Sequence, residues 1–578
     1  MNPYTWIWQY VKKDRTRLVF AMLLVVINAI GVIIVPMLGG MIVDTVIDGG
    51  HTEQLIPMLA VMIGATLVRT VMRYGYIMLF ERIGQNTLFD LRHDLFGKLQ
   101  SLDFTYFNTV RTGDLMARMT GDTDAIRNMI CWVSYNGMEC ILWFIAAVVV
   151  MSAINWQLMI ALVIVTPLIG ILTYQMSKQA LPVYFNIRQS FAKLNTMVEE
   201  NISGNRVVKA FTREDYEITK FDRLNHDYKM QNMAAAGISR RFLPPLDFLA
   251  SLLSVIVLLL GGGMVIAGHM SLGDLVTFNG FLWLLNQPMR MSGWLINDAQ
   301  RFAAATIKIR ALLGAHSTIQ TPTVQKAQAM QGLVQFDHVS FAYPDAPDAP
   351  VLADITFTAK PGQTIGILGE TGSGKSTLMD LIARYYDPTF GRVLVDGIDL
   401  KQWPIKTLRD QITVVMQDLF LFSDTIEDNI SYGNHDAPET YIRQMAQVAS
   451  ADSFIQAMPD GYQTVVGERG VGLSGGQKQR ISLTRALVKD PKILILDDTT
   501  SALDMETEAE IQQRLQAVAA HKTVFIIASR ISSLRQADQI LVLQHGHLVA
   551  SGTHEQLLKQ GGYYAETYAQ QTGGDTLG

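Results

Sequence analysis

Residues 364–377 read TIGILGETGSGKST, a short apolar run rich in β-branched residues that opens into a glycine-rich loop and then into a helix start. That order of strand, loop and helix decides the fold of the C-terminal half. Glycines at Gly369, Gly372 and Gly374 let successive backbone N–H groups curl around phosphate oxygens, and the helix N-terminus adds its dipole. Lys375 supplies a point charge and Ser376 a hydroxyl able to ligate Mg²⁺, while Glu370, Thr371, Ser373 and Thr377 complete the cradle.

Working outward, VQFDHVSFAY, ITVVMQ, KILILDD, TVFIIAS and QILVLQHGHLVASG are further strand-like runs separated by helical stretches, the pattern of an α/β domain. KILILDD ends in Asp497 and Asp498, where a Mg²⁺-binding and a water-activating carboxylate would sit. LSGGQ at 473–477 opens an amphipathic helix, so Ser474, Gly475, Gly476 and Gln477 present a hydroxyl and backbone amides as a second anion cradle. One nucleotide needs one phosphate loop, so the second cradle points to a nucleotide held by another subunit.

The N-terminal half is of a different kind. The chain has 578 residues, 49% hydrophobic and 17% charged, with a mean hydropathy of +0.20, which excludes a disordered or fibrous chain and is too apolar for an ordinary soluble protein. A net charge of -5 gives no bulk positive field for nucleic acid. Only two cysteines are present, Cys131 and Cys140, which excludes a disulfide framework and a four-cysteine zinc site. Stretches at about 18–41, 55–80, 133–154, 157–177, 246–267 and 272–296 can each span hydrocarbon, the last interrupted by Asn286, Gln287 and Arg290. Lys and Arg crowd the N-terminus and the segments 81–130 and 178–241, which places those segments and both termini on the cytoplasmic side. Spans two to five are expected to continue as long helices, broken at elbows near VRTGDLMAR (110–118) and ISGNRVVKAF (202–211), where Gly113 and Gly204 favour turns. HSTIQTPTVQKAQAMQG (316–332) is polar and aperiodic, so the expected domains are 1–315 in the membrane, a linker at 316–331, and 332–578 for nucleotide.

With these motifs in place, residues 332–565 resemble the nucleotide-binding domain of ATP-binding cassette transporters, and residues 1–320 the six-helix domain of the exporter class. The fold this implies is an all-α transmembrane domain with cytoplasmic helical extensions followed by an α/β P-loop cassette. ATP and Mg²⁺ are the implied cofactors, with Ser376, Gln417 and Asp497 at the metal. The resemblance also implies that Tyr343 stacks on adenine, Gln417 senses the γ-phosphate, Glu468 contacts coupling helices and Asp504 lies in the dimer-contact loop. It places the chain in a bacterial inner or plasma membrane.

Two positions depart from the family. Asp498 stands where a catalytic Glu usually follows the strand, and Ser529 replaces the switch His of the usual A-H-R. Losing one methylene retracts the base by roughly 1.5 Å, and misplacement on the order of 1 Å can cost about 100-fold in rate. Since two nucleotides lie between two such domains, the changes imply a non-identical partner half-transporter whose site this chain's LSGGQ completes. In the spans, Arg69, Arg73 and Glu139 are substrate candidates or a structural pair, and with Asp247 are expected to face the bundle interior because buried charge is costly in lipid. Methionines and tryptophans in the spans suit an amphipathic, multidrug-like substrate. A homodimeric lipid or peptide exporter, an importer and a non-pumping ATP-gated regulator are the alternatives.

Overall fold

A computed structural model describes residues 2–321, 329–499 and 503–572. Residues 322–328 of the expected linker, Thr500 to Ala502, and residues 573–578 lie outside the described residues. The chain divides into two compact units: one formed by residues up to Ser101 with Arg111–Ala315, the other by Leu102–Val110 with everything from His316 onward.

The first unit is helical throughout. Among the described residues five helices are long and apolar enough to cross a membrane: Pro3–Asp48, Thr52–Ser101, Thr112–Ile154, Trp156–Ser203 and Glu214–Ile266. The sixth expected span falls outside that set: it lies on Leu272–Leu313, one continuous helix of 42 residues that carries Asn286, Gln287 and Arg290 in its apolar run. Side chains such as Ile56, Val71, Ile141, Ile164 and Leu259 are exposed, as a lipid-facing surface requires. Inside, Trp143, Met151, Leu158, Phe278 and Phe281 form a core with Leu253 and Val257. The short connectors between the spans are tight. Asn155 Oδ1 accepts from the amides of Gln157 and Leu158 at 3.1 and 3.0 Å, which caps Trp156–Ser203. Two other connectors are joined by Asp44, which accepts from Ser271 Oγ and the Gly273 amide, both at 2.6 Å.

The first elbow breaks twice, once at Leu102 and Asp103 and again at Val110 and Arg111, inside the expected VRTGDLMAR stretch. The helix from Leu55 runs on to Ser101, and a separate six-residue helix, Phe104–Thr109, follows; Val110 and Arg111 are extended, and the next helix, Thr112–Ala117, carries Gly113 in its first turn. A cap marks the first of these breaks: Asp103 Oδ1 accepts from the Tyr106 amide at 3.2 Å, starting a new helix there. At the second elbow Gly204 does close Trp156–Ser203, a short helix Asn205–Ala210 follows, and Thr212 turns the chain with φ +50°.

The second unit is α/β. Its strands are β1 (Val334–Phe341), β2 (Leu352–Ala359), β3 (Thr364–Gly369), β4 (Phe390–Val395), β5 (Ile398–Asp399), β6 (Ile412–Val415), β7 (Ile493–Asp497), β8 (Thr523–Ile527), β9 (Gln539–Gln544) and β10 (His547–Gly552). A four-stranded antiparallel sheet runs β2-β1-β4-β5, and a six-stranded sheet runs β10-β9-β3-β8-β7-β6. Strands β9, β3, β8, β7 and β6 are mutually parallel, with only β10 reversed. β3 and β7 are buried runs, as central parallel strands covered on both faces must be. A second core, with Ile426, Ile430, Ile442, Met445, Ile481 and Leu487, holds the helix Gly475–Val488 that begins at LSGGQ.

Candidate nucleotide site

The parallel register gathers the chemistry at one edge. Asp497 pairs with Ile527 and Ile367 with the same residue, so β3, β7 and β8 end together. From those carboxyl ends emerge the phosphate loop, Asp497–Asp498 and Ala528–Ser529, and Gln417 follows the end of neighbouring β6. This is the crevice where open α/β sheets bind ligands.

Close packing holds the loop at two of its glycines. Gly372 and Gly374 sit at φ +83° and +96°, and a Cβ on Gly374 would meet Leu352 Cδ2 at 2.6 Å. At Gly369 a Cβ would lie 2.3 Å from the Leu543 carbonyl oxygen. Lys375 Nζ donates to the carbonyls of Gly369 and Glu370 at 2.8 and 2.7 Å, so the ammonium is already aimed across the loop. Burial pulls its pKa below the usual value, against the opposing pull of Asp497 and Asp498. Ser376 Oγ donates to Asp497 Oδ2 at 2.9 Å. Burial and then Asp498 hold Asp497 above the usual carboxylate range, with Ser376 and Lys375 opposing them. A hydroxyl and a carboxylate side by side are hard oxygen donors, a set that fits Mg²⁺ shared with phosphates.

Other expected residues have observable local roles. Tyr343 is half-buried, its hydroxyl 3.0 Å from Thr377 Oγ1 and its ring edge-on to Phe341 and Tyr386. Ser474 and Gln477 form a reciprocal capping box, with Ser474 N donating to Gln477 Oε1 at 2.9 Å and Gln477 N to Ser474 Oγ at 3.3 Å. Among the described residues no hydrogen bond joins Ser474–Gln477 to the phosphate loop. Asp504 caps the helix Met505–Ala519 through the Thr507 amide at 3.0 Å. Glu468 is exposed beside Arg469, whose φ is +53°. Asp498 takes φ +48°, its amide donating to the Ile527 carbonyl at 3.0 Å.

Some contacts at the site had no local sequence signal. Gln571, on the helix Tyr563–Gln571, grips the switch loop with both ends of its amide: Nε2 donates to the Ser529 carbonyl at 2.8 Å, and Oε1 accepts from Ile531 N at 2.9 Å. Ser533 in the same loop donates to buried Glu508. The elbow helix packs Phe104 on Tyr385, ring centres 4.6 Å apart, and Asn108 Nδ2 donates to Tyr386 Oη at 2.8 Å.

In the membrane unit the expected arginine pairing of Glu139 is replaced by neutral partners. Glu139 is 1% exposed and accepts from Tyr76 Oη at 2.5 Å and Asn28 Nδ2 at 3.2 Å; no ion pair joins it to Arg69 or Arg73 among the described residues. Tyr76 lies one turn beyond Arg73 on the same helix face. The methylenes of Arg69 pack on Gly31, while Arg73 and Asp247 remain on the surface of the single chain rather than inside it. Cys131 and Cys140 are buried free thiols.

Comparison with known proteins agrees with this architecture. The model of the ABC transporter transmembrane region matches residues 18–289, and the ABC transporter model matches residues 352–501. The uncharacterized ABC transporter ATP-binding protein YknU of Bacillus subtilis is 36% identical over 98% of this chain and 96% of its own length. The multidrug resistance-like ATP-binding protein MdlA of Escherichia coli is 35% identical over 97% of this chain and 95% of its own. A bacterial Atm1-family ABC exporter solved with ATP bound superposes with a TM-score of 0.80 at 28% identity, covering 96% of this chain and 98% of that one. With its membrane region and its ATPase domain on one polypeptide, the chain belongs to the ABC transporter family.

Proposed function

We propose that the chain is one half of an ATP-driven heterodimeric exporter of amphipathic compounds, in which its own ATP site holds nucleotide and hydrolyses it poorly. The observation that carries this reading is the pair of altered residues at one sheet edge, Asp498 and Ser529, beside an intact phosphate loop and an intact LSGGQ. The multidrug resistance-like name of MdlA and the abundance of Met and Trp in the spans support the substrate class. On this reading the assembly sits in a bacterial inner membrane with the ATPase domain and both termini cytoplasmic, the domain bounds lying near residues 315 and 332.

On this reading Lys375 and the loop amides would bind the nucleotide's phosphates, Ser376, Asp497 and Gln417 would hold Mg²⁺, and Tyr343 would border the base. When bound, Mg²⁺ neutralises charge developing on the transferred phosphoryl group. Asp498 reaches short of an attacking water, and Ser529 brings no imidazole, so closure persists at this site. Ser474, Gly475, Gly476 and Gln477 complete the partner's site, where hydrolysis reopens the dimer. On this reading an open groove lined by Met416, Asp418, Phe420, Tyr432 and Arg485 offers aromatic side chains to the partner's second elbow.

The decisive experiment compares the purified chain with the complex it forms with whichever half-transporter co-purifies with it. The chain alone should bind ATP and hydrolyse it slowly; the complex should show dye-stimulated ATPase that vanishes when the partner's catalytic Glu is changed to Gln. Exporter-level, dye-stimulated hydrolysis by the chain alone would refute the asymmetric reading and favour a homodimer.

A further inference from the structure

The chain passes from one unit to the other at three joints, Ser101–Leu102, Val110–Arg111 and Ala315–His316. A single carboxylate ties the first joint to the third. Asp103 is 9% exposed, and while its Oδ1 caps the elbow helix, its Oδ2 accepts from the segment that leaves Leu272–Leu313. The donors are Thr318 N at 2.5 Å, Thr318 Oγ1 at 2.6 Å and Ser317 Oγ at 3.0 Å, with Ile319 N at 3.4 Å.

One residue further, the Gln320 carbonyl accepts from Arg384 Nη2 at 3.0 Å. Arg384 is 2% exposed and is fixed by the Trp403 carbonyl at 3.2 Å and by Asp387 at 3.0 Å. Residues 317–320 are therefore strapped between the elbow and the α/β core. A helix cap requires one carboxylate oxygen; here the second oxygen collects the strap. Burial alone would raise the Asp103 pKa, but hydrogen bonds from Thr318, Ser317 and Tyr106 outweigh it and hold the carboxyl below its usual range, so the bonds are charge-assisted.

We propose that Asp103 is a positioning residue for transport, a strap that makes the cytoplasmic ends of the helices Leu55–Ser101 and Leu272–Leu313 answer together to the nucleotide state of the ATPase unit. This rests on ATP-driven transport by the assembled protein and is independent of whether the second half is a copy.

The test uses the full chain, with whatever second half co-purifies, in lipid nanodiscs and in proteoliposomes. Spin labels go on Gln100→Cys and Ala311→Cys, both exposed, since the native cysteines are buried. Asp103→Asn keeps the shape and loses the charge, and Thr318→Val removes one strap donor should Asp103→Asn fail to fold. Asp103→Ser restores a helix cap and is too short to reach the strap. The label-to-label distance distribution should broaden in all three variants. In Asp103→Asn and Asp103→Ser, ethidium carried per ATP hydrolysed should fall about tenfold, the ratio expected for losing a charge-assisted hydrogen bond. If ethidium is not carried, the distance arm alone decides. A narrow, wild-type distribution in Asp103→Asn and Thr318→Val, or full rescue by Asp103→Ser, overturns the proposal, the latter by reducing Asp103 to a cap. Failure of the heterodimer reading would show instead in the ATPase of the chain alone, leaving the distance measurement unaffected.

Discussion

At the scale of single residues, the sheet edge concentrates side chains whose charge state is set by burial. Asp380, on the helix Lys375–Ile382, is pushed up to about 7, first by burial and then by Asp497. The folded protein therefore keeps a proton that the unfolded chain has lost, and this group's contribution falls as pH rises from its ordinary range to about 7, the cost being complete above that. Asp380→Asn should raise the Tm of nucleotide-free protein more at pH 8 than at pH 5; an equal shift at both would reject the assignment. A second prediction concerns Asp498 and Ser529. If reach and the missing imidazole limit hydrolysis, Asp498→Glu combined with Ser529→His should raise ATP turnover at this chain's own site by about 100-fold, the scale of a misplacement on the order of 1 Å. Turnover is read in a complex whose partner carries the inactivating Glu to Gln change. No gain over the parent would remove the two substitutions as the cause.

At the scale of elements, close approach sets the membrane unit's precision. Gly40 and Gly273 bring two helices together so tightly that a Cβ on Gly40 would lie 2.0 Å from Thr277 Oγ1, and one on Gly273 would lie 2.2 Å from the Gly40 carbonyl oxygen. Either Gly→Ala change should destabilise the unit by about 1–3 kcal/mol, the cost of overpacking, read as a lower Tm in detergent. Gly39→Ala, which meets nothing within 4 Å, is the control. The elbows show how local signals compete. Gly204 closes its helix, whereas Gly113 falls just past a break: Asp103, ten residues earlier, caps the short helix Phe104–Thr109, Val110 and Arg111 are extended, and Gly113 lies in the first turn of the helix that follows.

At the scale of the whole molecule, the prediction is division of labour. Changing Ser474 to Arg should abolish ATPase in the assembled complex while ATP still crosslinks to this chain's phosphate loop. Lys375→Ala should do the reverse, losing the crosslink while hydrolysis at the partner's site survives in part; loss of both signals in both variants would argue for two equivalent sites. The amino-acid sequence by itself determined the apolar spans, the glycine cradle, the paired carboxylates after KILILDD, and the two departures at Asp498 and Ser529, because each is a local pattern whose chemistry lies in neighbouring residues. Only the tertiary structure decided that β3, β6, β7 and β8 end at one edge, that Glu139 meets Tyr76 and Asn28 rather than an arginine, that Gln571 grips the switch loop, and that Asp103 straps Thr318. Those contacts join residues far apart in the chain, and strand register and helix packing, which a linear pattern does not encode, choose the partners.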